Sequence, residues 1–175
     1  MAKVVFIIAK HGFRDEELLE PKKVLEAAHE VHIASTSPGE CIGKLGAKVH
    51  AGLSIQQALE HLSEWAAVIF IGGPGVQTLF DDPYARELAR KAMTTHSVHV
   101  LAAICWAPVL LAKAGVLEGR NITGWDDGMG TQFRELKKAG ATILPQHVVI
   151  DGKLVTGDGP QHAKDFGKAV LKMLS

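Results

Sequence analysis

A thiol held at the junction of a buried strand and a helix is a nucleophile in waiting, and Ala103-Ile104-Cys105-Trp106-Ala107 sets Cys105 between two such segments. Small residues two places to either side allow the sharp turn that a nucleophile elbow requires. Sulfur placed there faces a helix start, whose dipole and free N–H groups favour thiolate, and the amides that follow can hold an oxyanion. The competing reading of Cys105 is an inert buried thiol; the strand, the turn and the small flanks together favour the reactive one. Cys41 has no comparable setting.

Two other segments bear on the same chemistry. Gly72-Gly73-Pro74-Gly75 closes a second apolar run without the spacing of a dinucleotide or phosphate loop, so it is either a plain tight turn or a source of unshielded oxyanion-binding amides. Glu17 belongs to the acidic group Asp15-Glu16-Glu17-Glu20, whose default is a solvated face. Brought beside the sulfur, its carboxyl would be raised in pKa by burial and could exchange a proton with Cys105. Of nine histidines, most read as ordinary surface or satisfied core residues, and His11 on the first loop and His162 near the last helix are the two that could approach Cys105. The pairs His29/His32 and His96/His99 lack a third ligand in any recognised zinc pattern, so no metal and no cofactor are expected.

The elements that must position these groups alternate. Val4–Ala9, Val31–Ser35, Ala66–Ile71 and Val98–Ile104 read as short strands, the first buried on both faces as in parallel sheets. Helices are expected from Asp15 onward, with Pro21 demanding a start nearby or a kink, then after the N-cap Ser54, from Pro83 to about Met93, and from Trp106 to Ala114. Further strands at Asn121–Thr123 and Ala141–Leu144 flank a helix at Gln132–Ala139, and Gln161–Leu174 forms a terminal amphipathic helix. Hairpins are expected around Gly43 and Gly46, in a part of the chain that looks peripheral, and at Asp151-Gly152. This alternation predicts a doubly wound α/β sandwich with a mostly parallel sheet, one domain over residues 1–175. Sites on such sheets gather beyond the strands' carboxyl ends, where His11–Glu17, Gly72–Gly75 and Cys105 should meet.

Composition narrows the function classes. Nineteen basic residues balance nineteen acidic ones, so there is no basic stripe for nucleic acid or an anionic membrane. Two cysteines make no disulfide framework, and the first apolar run is too short for a signal or a membrane span. A reduced, cytoplasmic enzyme or sensor is the expectation.

The segments Phe13 to Pro21, Gly72 to Gly75 and Ala103 to Pro108 stand in an order and spacing that resemble the DJ-1/PfpI superfamily, relatives of class I glutamine amidotransferases. The likeness continues through Gly119–Thr123 and Asp151–Gly157 and so spans nearly the whole chain. The resemblance implies a flavodoxin-like three-layer sandwich, Cys105 as elbow nucleophile, Glu17 as its carboxyl partner, and the amides of Gly73 and of Trp106 or Ala107 as oxyanion donors. It also implies self-association as a dimer or larger oligomer. Peptidase-like relatives carry histidine directly after the nucleophile, where this chain has Trp106; Trp125 stands where some relatives have histidine and others an aromatic, and Asp126 replaces a proline that often follows. Trp106 and Trp125 are therefore expected as pocket walls.

Three functions share these residues. Cofactor-free turnover of methylglyoxal or its glycated adducts needs one thiol and one acid–base group, both present. An intracellular cysteine peptidase is weakened by Trp106. An oxidative-stress sensor or chaperone would use oxidation of Cys105 to sulfinic acid, held by protonated Glu17.

Overall fold

The computed structural model describes residues 1–175. In chain order the elements are β1 (Lys3–Ile7), β2 (His11–Phe13), α1 (Asp15–Glu26), β3 (Glu30–Ser35), β4 (Gly39–Gly43), β5 (Lys48–Ala51), β6 (Leu53–Ser54) and α2 (Ile55–Glu60). They continue with β7 (Trp65–Phe70), α3 (Pro83–Thr94), β8 (Val100–Ile104), α4 (Pro108–Lys113), β9 (Asn121–Ile122) and α5 (Thr131–Lys138). The chain ends with β10 (Thr142–Ile143), β11 (Val148–Asp151), β12 (Leu154–Gly157) and α6 (Ala163–Met173).

The central sheet has the order β11-β12-β8-β7-β1-β3-β6, with only the β11–β12 edge antiparallel. Its five long parallel strands, β3-β1-β7-β8-β12, follow the flavodoxin-like order, so the chain reverses its direction of winding between β1 and β7. The strands are apolar throughout because helices cover both faces. In β1 and just after it, Val4, Phe6 and Ile8 point to the layer of α1 and α6, while Val5 and Ile7 point to the layer of α2, α3 and α4. Alternation of side chains along a strand divides the core into these two clusters. No helix is long and apolar enough to cross a membrane.

Several expectations are corrected. Of the two readings of Pro21, the nearby start is overturned: α1 begins at Asp15 and Pro21 lies buried inside it. Proline removes one backbone donor there, and packing sustains the helix: a Cβ on Gly167 of α6 would come within 2.7 Å of the Pro21 Cα. The helix after the cysteine begins at Pro108 rather than Trp106, since proline favours the first helical position and Cys105–Ala107 form the turn. β9 and β10 pair with each other in a separate two-stranded sheet instead of extending the central one. The β4–β5 hairpin is not peripheral, because β4 pairs with β2 and its turn reaches the site described next.

Candidate active site

Glu17, the glycine loop and Cys105 are brought together by the carboxyl ends of β1, β7 and β8, at the reversal point of the sheet. Cys105 has φ 63°, the one positive value on a non-glycine residue, as a tight elbow imposes. Its backbone is held from both sides: its N–H donates to the Gly157 carbonyl at 2.9 Å, and its carbonyl accepts from Trp125 N–H at 2.8 Å. The α1 start is stitched to the glycine loop in two directions. Arg14 N–H donates to Gly72 O at 2.9 Å, and Gly72 N–H donates to Glu17 Oε2 at 3.0 Å. Glycine is needed at position 72, where a Cβ would lie 2.7 Å from Glu17 Oε2 and 2.9 Å from the Cys105 Cβ. Gly73 adopts φ 95°, a left-handed conformation that suits glycine.

Glu17 has no exposed surface, and its Oε1 has no hydrogen-bond partner. Burial pushes its carboxyl up to about 8, against the opposing effects of the thiol and of the Gly72 N–H. The thiol is also pushed up, first by burial and then by the Glu17 charge, while the Gly73 and Trp106 N–H groups act in the opposite sense. The expectation of a resting thiolate is therefore corrected: desolvation and a neighbouring carboxylate outweigh the amides, and the pair retains a proton through neutral pH. The Gly73 and Trp106 amides face the sulfur. That of Ala107 does not serve as a third donor, because it is spent on the Ile104 carbonyl at 3.1 Å in the turn itself.

A cavity of about 190 Å³ opens over the sulfur, walled by Trp106, Trp125 and Pro160 and by two cations, Arg14 and Lys44. The indole rings of Trp106 and Trp125 lie 5.4 Å apart. His11 is not among the lining residues; it is exposed on β2. His162 lines a neighbouring groove that shares Trp125 and Pro160 with the cavity. No histidine lines the cavity itself.

Arg14, Lys44 and Asp15 are the site residues that sequence reasoning missed. Asp15 is almost fully buried, and its two oxygens accept from Leu45 N–H at 2.9 Å and Ala47 N–H at 2.8 Å, closing the hairpin turn. Lys44 N–H donates to the Phe13 carbonyl at 2.8 Å, which fixes that lysine at the cavity rim. Arg14 is held by Glu16 at 2.7 Å, the chief reason its pKa is raised. The one sequence signal was the acidic first turn of α1, which marks a helix start and says nothing of a hairpin thirty residues on.

A family model described as the DJ-1/PfpI family matches residues 2–173. An uncharacterized protein of Methanocaldococcus jannaschii is 37% identical over 175 residues, covering 99% of this chain and 82% of its own length. One from Staphylococcus epidermidis is 34% identical, with 99% of each chain covered. Among solved structures, a ThiJ/PfpI domain protein from Brachyspira murdochii superposes with TM-score 0.88 at 31% identity, covering 98% of this chain and 95% of that one. DJ-1beta of Drosophila melanogaster gives TM-score 0.85 at 24% identity, covering 99% and 91%, a likeness of fold.

Proposed function

The chain belongs to the DJ-1/PfpI family, and on that premise we propose that it turns over a small 2-oxoaldehyde, of the methylglyoxal class or a glycated adduct of one, without a cofactor. The observation that carries this reading is the buried Glu17 carboxyl, titrating at about 8 beside the Cys105 thiol with one oxygen unpartnered. A group poised near neutral pH both takes and returns a proton efficiently.

In this mechanism the reactive form is the one with Glu17 ionised, a minority at pH 7 that grows toward pH 8. The Cys105 sulfur adds to the aldehyde carbon while Glu17 takes the S–H proton and delivers it to the new oxygen, giving a hemithioacetal. Glu17, again a carboxylate, removes the hydrogen of that carbon as a proton. The electron pair moves into an enediolate, whose hydroxyl proton shifts to the neighbouring oxygen, and Glu17 returns its own proton to the adjacent carbon. The aldehyde carbon is thereby oxidised to a thioester while the neighbouring carbonyl is reduced to an alcohol, with no net redox. Water cleaves the thioester, releasing a 2-hydroxy acid and restoring the thiol. The Gly73 and Trp106 amides and the Arg14 and Lys44 cations suit the negative oxygens that develop. The small cavity and its lack of a histidine favour a small carbonyl compound over a peptide cut by a Cys–His pair.

Glu17 neutral at pH 7 also favours a second reading, in which peroxide oxidises Cys105 to sulfinic acid and the protonated carboxyl donates a hydrogen bond to it. Glu17→Gln separates the two. It should lower kcat for methylglyoxal by roughly 10²–10⁴ under the first and leave peroxide oxidation largely intact under the second. Full methylglyoxal turnover in Glu17→Gln would defeat the acid–base mechanism even if Cys105 proved essential.

A further inference from the structure

Outside the thiol cavity, the only group of three metal-ligating side chains that converges is His147, Asp158 and His162, whose donor atoms lie within 4.8 Å of one another. The fold assembles it from three places. His147 directly precedes β11 and Asp158 directly follows β12, and the pairing of Val148 with Gly157 sets the two opposite each other at the open end of that hairpin. The Asp158 N–H donates to the His147 carbonyl at 3.0 Å, closing the end. A 3-10 turn over Pro160–His162 then returns His162 to the same carboxylate. His147 Nδ1 lies 2.7 Å from Asp158 Oδ2, and His162 Nδ1 lies 3.0 Å from Oδ1. The two imidazoles stack with centroids 3.6 Å apart and planes at 16°.

Each nitrogen is thus presented to one oxygen of a single carboxylate, so that a single cation placed among them would have all three groups as ligands. With metal–ligand bonds of about 2.0–2.2 Å, ligand atoms on a tetrahedral ion stand roughly 3.3 Å apart, so the two nitrogen–oxygen spacings of 2.7 and 3.0 Å need to open slightly, and any wider pair within the 4.8 Å limit closes by rotation of the exposed His147 ring. Two imidazole nitrogens with one carboxylate suit zinc and its neighbours in the first transition row, and disfavour calcium and magnesium, which prefer all-oxygen shells. We infer that His147, Asp158 and His162 form a three-ligand site for a divalent transition metal, with a coordination position open to the groove lined by Trp125, Pro160 and Gln161. That groove adjoins the Cys105 cavity through Trp125 and Pro160. The site is independent of the reaction proposed for Cys105.

The test is calorimetric titration of the chelator-treated protein with zinc alone, repeated with cobalt and read by visible absorption. Wild type, Cys105→Ser, His147→Ala and His162→Ala are compared. One equivalent should bind with micromolar or tighter affinity in wild type and Cys105→Ser. Either histidine variant should weaken binding by roughly two orders of magnitude, and cobalt should show d–d bands without thiolate charge transfer. The His147 side chain is 67% exposed, so its removal leaves the core untouched, and a normal melting curve verifies this. The inference is overturned if wild type binds no tighter than millimolar, if binding survives in both histidine variants, or if it vanishes in Cys105→Ser.

Discussion

Glu17 couples the chemistry of the site to the stability of the fold. Its ordinary pKa of 4.5 applies to the unfolded chain, while burial raises it to about 8 in the folded one. Between those values the folded state holds a proton that the unfolded state has lost, so this contribution to stability is complete below about pH 4.5 and is lost as pH rises through about 8. Glu17→Gln, which does not ionise, should therefore be more stable than wild type by an amount that grows across this window to a few kcal/mol. Urea denaturation at several pH values checks it; a pH-independent difference contradicts it. The same carboxylate raises the thiol, so above about pH 8 the Gln variant should alkylate faster at Cys105 with iodoacetamide than wild type does. In both proteins mass-resolved labelling should find Cys105 before Cys41, which has no exposed surface. Early labelling of Cys41 in the folded protein would be the contrary result.

At the scale of elements, the β4–β5 hairpin is tied to the start of α1 through its turn. The Asp15 carboxylate caps the Leu45 and Ala47 N–H groups, and this turn, with the Lys44 N–H to Phe13 carbonyl bond, places Lys44 over the cavity. Asp15→Ala leaves those amides to find water, with an expected loss of about 1–3 kcal/mol. It should also raise KM for a 2-oxoaldehyde more than it lowers kcat, since Lys44 loses its place while Cys105 and Glu17 keep theirs. Denaturant midpoints and steady-state kinetics on one preparation measure both effects. A loss of stability with unchanged KM would detach the hairpin from substrate binding.

For the molecule as a whole, the sulfur, the carboxyl, the amide donors and both cations of the cavity belong to one chain. Self-association, expected from the family resemblance and permitted by zero net charge, is accordingly proposed as a separate property. Light scattering should give a dimer or larger species, and a monomer persisting at high micromolar concentration would remove it. Activity measured per chain across any dissociation reads whether a second copy supplies a group to the cavity: it should stay constant if these groups of one chain suffice, and a fall on dilution would show that they do not.

The sequence by itself determined the alternation of strands and helices, because apolar periodicity and the punctuation by glycine, proline and caps are local signals. It also pointed to the elbow at Cys105 and to the glycine turn, since a doubly wound sheet gathers its strand ends at one edge; Glu17 read locally as part of a solvated acidic face, and only the family resemblance implied it as the partner of the sulfur. What lay beyond it were relations between residues far apart in the chain. Asp15 reaching Leu45 and Ala47, Lys44 arriving at the cavity, and His147 meeting Asp158 and His162 depend on side chains crossing between elements. The proton balance of the thiol also escaped it, because the amides that favour thiolate are visible in a motif whereas burial, which outweighs them, is not. Pro21 inside α1 makes the same point: a residue that ends helices locally is carried by a close-packed neighbour, and the small residue that allows the approach, Gly167, lies at the other end of the chain.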